Sequence, residues 1–119
     1  MAYFTVEEFR CKCGQCLAKP VESSLLARLN ALRSAYGHPL YITSGWRCED
    51  YNRKVGGDKE SAHLTGHAAD IFCTSSMDRY KLLFHTMGLF RRVGIGKTFL
   101  HVDTDINKPQ EVIWLYENH

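Results

Sequence analysis

A single carboxylate sets the strongest constraint on this chain. Asp70 stands inside Ala68-Ala-Asp-Ile-Phe72, a short apolar run that reads as a strand burying its side chains. An unpaired buried charge is expensive, so the fold must bring a cation or hydrogen-bond donors to that point. His101 poses the same question, flanked by Phe99-Leu100 and Val102. A third donor, His63, lies in a polar loop that Gly66 can turn back onto the strand bearing Asp70. Two neutral imidazoles and one carboxylate suit zinc, and three protein ligands leave the fourth tetrahedral position for water, the mark of a catalytic ion. Against this stands the ordinary reading: a lone histidine is more often a core or surface residue, and an aspartate in a short strand often caps or pairs.

The remaining periodicities predict an α+β fold, a small, mainly antiparallel sheet with helices packed on one side. Leu25, Leu29, Leu32 and Tyr36 mark a helix that Ser23 or Ser24 can cap and Gly37 can end. A second helix starts at Ser76, with Tyr80, Leu83, Phe84 and Met87 expected on its inner face. Short strands are expected at Leu40 to Thr43, Ala68 to Phe72, Arg92 to Gly96 and Phe99 to Thr104. Val112 to Tyr116 reads as a last strand or an extended tail. Residues from Cys48 to Val55 can form one or two helical turns before Gly56-Gly57. At 119 residues the chain reads as one domain, 1–119, in which 1–20 form an irregular cysteine-containing cap anchored by Phe4 and Phe9.

Composition narrows the function classes. Charged residues make up 24% and the net charge is +2, too mild for the basic stripe of a nucleic-acid binder. No apolar run reaches the roughly 18–20 residues of a membrane span. The start lacks the basic-then-apolar pattern of a signal peptide, which suggests synthesis in a cytoplasm.

Four separated segments carry a resemblance: Ser44-Gly-Trp-Arg47, then Asn52 with Val55-Gly-Gly57, then Ser61-x-His63-x-x-Gly66-x-Ala68-x-Asp70, and His101-Val-Asp103. In this order they resemble the zinc D-alanyl-D-alanine carboxypeptidase family, which includes phage endolysin peptidases and is related in fold to the hedgehog signalling domain. The resemblance spans about residues 21 to 116. It implies His63, Asp70 and His101 as ligands of one catalytic zinc, and peptidoglycan stem peptides as substrate. It also implies that Arg47 binds a substrate carboxylate or steadies an oxyanion; the plainer reading pairs Arg47 with Glu49 or Asp50. Ser61 either bonds the substrate backbone or shapes its loop. The cap sequence Phe9-x-Cys-x-Cys-Gly14 is similar to phage-borne members, with phage tail or lysis proteins as partners.

One position departs from the pattern. Many relatives place a glutamate, as general base, three residues before the last histidine ligand; here that residue is Thr98. Asp103 is the expected substitute, because residues i and i+2 of a strand face the same side. The alternative is that Asp103 orients a ligand imidazole. Glu60 and His67 are fallback candidates, while His38, His85 and His119 read as structural or surface residues.

Cys11, Cys13 and Cys16 form one clump. A structural zinc normally takes four ligands, commonly as two separated pairs, so free thiols are the favoured expectation. A second structural ion there would need Cys48 or Cys73 as its fourth ligand. No serine or cysteine has a recognisable triad partner, so no covalent intermediate is expected. The expected function is zinc-dependent hydrolysis of peptidoglycan peptide bonds, as carboxypeptidase or endopeptidase, at the cell wall after release or delivery by other factors. Two readings compete: a non-catalytic zinc-containing binding domain, and a phage tail structural component.

Overall fold

The computed structural model describes residues 3–117, so His119 lies outside the described residues. A five-stranded sheet forms the centre, built from β1 (Ile42–Ser44), β2 (Ala68–Phe72), β3 (Arg92–Ile95), β4 (Phe99–Asp103) and β5 (Val112–Leu115). Its order is β1-β2-β4-β3-β5. The β1–β2, β2–β4 and β4–β3 pairs are antiparallel, whereas β5 runs parallel to β3. The sheet is therefore mixed but mainly antiparallel, and Val112 to Leu115 is a true strand.

Strand alternation gives the sheet two different faces. Ala69, Ile71, Leu100, Val102 and Val93 point into the core, where Leu25, Leu29 and Leu32 of α1 (Ser23–Tyr36) and Leu82 of α3 (Ser76–Thr86) meet them. Each of these side chains is essentially removed from water, worth about 1.5–3 kcal/mol for each of the larger ones and less for Ala69. The opposite face carries Asp70, His101 and Asp103, the polar residues at alternate positions of β2 and β4.

Several local expectations need correction. Strand β1 begins at Ile42 and reaches Ser44, two residues later than Leu40. Neither Ser23 nor Ser24 caps α1; Glu22 occupies the N-cap with no side-chain bond, and Ser24 instead bonds Thr104 at 3.1 Å. Gly37 ends the helix in the left-handed region, as its position suggests. In α3 the inner face is Leu82 and Thr86, with Leu83 partly buried, whereas Tyr80, Phe84 and Met87 are exposed. Thr86 can be buried there because its hydroxyl donates to the Leu82 carbonyl at 2.7 Å.

The loop after the short helix α2 (Glu49–Lys54) contains a 3-10 turn, Ala62–Thr65, that holds His63. Gly66 closes it at φ +76, and a side chain there would meet the Trp46 ring at 2.5 Å. Only glycine satisfies both conditions. The N-terminal cap contains one 3-10 turn, Val6–Phe9, and Phe9 is buried with Phe4 packed on the same core. The cap lies on the β1–α2 connection: Trp46 donates its amide to the Phe9 carbonyl at 2.8 Å.

Candidate metal centre

Asp70 and His101 are register partners on the two central strands β2 and β4, which places their side chains together on the polar face. The 3-10 turn brings His63 to the same point. Asp70 Oδ1 lies 3.2 Å from His63 Nε2 and 3.0 Å from His101 Nδ1. One ligating atom from each residue falls within 4.8 Å of the others, and all three residues are buried. A tetrahedral zinc with bonds of about 2.0–2.1 Å separates its ligand atoms by roughly 3.3 Å, and the observed spacings suit it.

Tautomers make the fit more specific. His63 Nδ1 lies 2.7 Å from the Gly45 carbonyl, which can only accept, so that nitrogen carries the proton. A neutral ring then aims the bare Nε2 lone pair at Asp70. His101 Nε2 lies 2.7 Å from Asp103 Oδ2, so its Nδ1 lone pair also faces Asp70 when the ring is neutral. Three acceptors converging in a buried place require a positive charge between them. A cation or a proton can supply it.

The titration directions agree. Burial pushes the Asp70 carboxyl up, but the hydrogen bond from His101 and the electrostatic pull of the surrounding donors outweigh it and keep the group ionised. At His63 burial prevails and the pKa falls, so the ring stays neutral. At His101 burial acts downward, yet bonds to Asp103 and Asp70 outweigh it and the pKa rises above 6.5. Without metal, His101 is the group that holds the proton.

The centre forms the floor of a pocket of about 300 Å³. Arg47, Ser61, Arg92, Asp103, Lys108, Trp114 and Tyr116 are among its lining residues. Arg47 is not paired with Glu49 or Asp50. Its Nη2 donates to Asp70 Oδ2 at 3.2 Å, its Nε to Ser44 at 3.1 Å and its Nη1 to Asn52 at 3.2 Å. Buried Asn52 is fixed in turn by donating to the Asp58 carbonyl at 2.7 Å. Ser61 Oγ accepts the His63 amide at 3.2 Å, capping the turn, while the residue also borders the pocket.

Asp103 faces the pocket side as strand spacing predicts, but its oxygens are engaged. Oδ2 takes His101, and Oδ1 takes Arg92 Nε at 2.7 Å and the Asp105 amide at 3.2 Å. Burial raises its pKa, and the bond to His101 with the Arg92 charge more than reverses that. Glu60 and His67 do not line the pocket; His67 bonds Thr65 at 2.8 Å instead.

Trp114 and Tyr116 escape sequence reasoning, because they reach the site only through the parallel pairing of β5 with β3. Gly94, the β3 partner of His101, admits them: a side chain there would meet Tyr116 at 2.5 Å and Trp114 at 2.7 Å. The Trp114 ring lies 5.4 Å from the His101 ring, tilted against it. Their signal in the sequence is only an aromatic pair two residues apart.

Comparison with curated proteins gives no match. A family model described as peptidase M15 matches residues 2–103, which include the three converging residues, Arg47 and Asp103. With a buried histidine–aspartate–histidine site and most of its length covered by that match, the chain belongs to the peptidase M15 family, a family of zinc peptidases.

Proposed function

We propose that the chain hydrolyses peptide bonds of bacterial peptidoglycan, as a zinc carboxypeptidase or endopeptidase of phage or prophage origin. The observation that carries this reading is the meeting of His63, Asp70 and His101 on the floor of a pocket with cationic and aromatic walls. Stem peptides bear free carboxylates and small side chains, which suit Arg47, Arg92 and Lys108 beside Trp114 and Tyr116. Zinc held by the three residues would supply Lewis acidity, polarising a carbonyl and bringing the pKa of water towards about 7.

The chain's own residues supply the rest. Arg47, held by three partners, presents a planar cation to a substrate carboxylate or a developing oxyanion. Asp103 holds His101 in the tautomer that turns Nδ1 to the centre, which favours the orienting role over that of base. Besides Asp103, whose oxygens are engaged, the pocket carries one more carboxylate outside the centre, Asp58; its Oδ1 accepts the Glu60 amide at 2.9 Å, and it is the alternative proton acceptor. Ser61 shapes the turn under His63 and borders the substrate. The protein is made in a cytoplasm and reaches the wall by release or delivery.

A second reading, a non-catalytic binding domain or tail component, draws on Thr98 at the usual base position and on the engaged Asp103. Mass spectrometry of muropeptides after incubation with the protein, with and without chelator, separates the two. The peptidase reading expects new fragments that vanish with chelator and return with zinc. Unchanged muropeptides at full zinc occupancy favour the binding domain.

A further inference from the structure

Four of the five thiols meet in a second place. Cys11, Cys13, Cys16 and Cys48 each direct a sulfur to within 4.8 Å of the others, although Cys48 is separated from the clump by more than thirty residues. Cys13 and Cys16 sulfurs lie 3.4 Å apart, and those of Cys11 and Cys48 lie 3.8 Å apart. A tetrahedral ion with Zn–S bonds of about 2.3 Å holds its sulfurs roughly 3.8 Å from one another. The fifth cysteine, Cys73, is buried in the main core and takes no part.

The backbone around these sulfurs is arranged for thiolates. Gly14 adopts φ +83, which turns the chain between Cys13 and Cys16 so that the amides of Gln15 and Cys16 point at Cys13 Sγ, 3.3 and 3.4 Å away. The Cys48 amide donates to Cys11 Sγ at 3.3 Å, and the Tyr51 amide to Cys48 Sγ at 3.5 Å. Amide bonds of this kind offset the negative charge of metal-bound sulfur and fix the ligands' directions. Arg10 adds a clasp across the loop, donating to the Cys16 carbonyl at 2.7 Å.

We propose that Cys11, Cys13, Cys16 and Cys48 bind a structural zinc ion that fastens the N-terminal cap to the segment carrying Arg47. All four tetrahedral positions are taken by sulfur, so the site is closed and has no place for substrate. Residues 10–20 have no helix or strand of their own, and metal binding can supply the folding energy they lack. Cys48 directly follows Arg47 in the chain. The ion would pin one end of the backbone from which Arg47 reaches the pocket.

The test uses the full chain, purified under reducing conditions, with zinc counted by elemental analysis. The wild type is expected to hold about two zinc ions per chain, and the His63→Ala/His101→Ala variant about one. Cobalt in that double variant should give the intense near-ultraviolet charge-transfer band of tetrahedral thiolate coordination. A mercurial thiol reagent added to wild type should release about one zinc per chain, which needs no variant to fold. Absence of thiol-linked zinc release, a cobalt spectrum without the thiolate band, or a Cys13–Cys16 disulfide in the freshly purified protein would overturn the proposal. Each of these readouts is independent of peptidase activity, so their failure leaves the histidine–aspartate centre untouched.

Discussion

The Nδ1 of His63 sits 2.7 Å from the carbonyl oxygen of Gly45, a bond that leaves the other ring nitrogen bare and directed at Asp70. Gly45 can come this close because it lies against the backbone of Phe9, where a side chain would meet Phe9 at 2.7 Å. The N-terminal cap, the β1–α2 connection and the turn holding His63 are thus parts of one support. The metal centre depends on all three.

Proton release follows from the state of His101. Burial lowers its pKa, but the bonds to Asp103 and Asp70 outweigh that and raise it, so the metal-free ring keeps its proton to higher pH than a free imidazole and zinc must displace that proton. A raised folded-state value stabilises the metal-free protein below 6.5 and loses that contribution as pH rises through the folded value. The melting temperatures of metal-free and zinc-loaded protein should therefore diverge as pH rises above the ordinary histidine range. Calorimetry in buffers of different ionisation enthalpy should report proton release on zinc binding that declines as pH rises through the His101 value.

Asp103→Asn distinguishes an orienting residue from a base. If Asp103 orients His101, zinc affinity falls about 10–100-fold and kcat largely recovers at saturating zinc. A base would instead lose kcat about 10²–10⁴-fold with zinc fully bound. Competition with a chromophoric chelator measures the first, and muropeptide turnover the second.

Arg47→Lys should lower kcat/KM about 10²-fold, because an ammonium cannot span Ser44, Asn52 and Asp70 as the guanidinium does. Asn52→Ala should produce a smaller loss, roughly tenfold, by freeing one end of Arg47. Steady-state kinetics on a defined stem peptide checks both.

Gly66→Ala adds a side chain at φ +76 and against Trp46. The expected cost is about 1–3 kcal/mol from backbone strain, with a further loss from the displaced ring. Urea unfolding should show a lower midpoint with an unchanged slope.

The parts of this molecule legible in the sequence are those written locally. The α1 stripe of Leu25, Leu29 and Leu32, the Gly37 stop and the Ala68 to Phe72 strand follow from period and turn chemistry. The convergence of His63, Asp70 and His101 was legible because a buried carboxylate needs a partner. The α3 face departs from the expected one because apolar residues at 80, 83, 84 and 87 and the inward set at 82, 83 and 86 differ by about one residue, a rotation of about 100°. Thr86 joins the buried side through its bond to Leu82, which no hydropathy pattern announces. Long-range pairing is legible only in part. The sequence offers Cys48 and Cys73 equally as a fourth thiol and only the fold selects Cys48, while Trp114 and Tyr116 over His101 are placed by chain crossings that leave no local mark.

Diffraction from crystals grown with zinc, recorded at the zinc absorption edge, tests the central claim most directly. The expected result is an anomalous peak about 2.0–2.2 Å from His63 Nε2, Asp70 Oδ1 and His101 Nδ1. Those three atoms bonded only to one another, with zinc density elsewhere or nowhere, would contradict it.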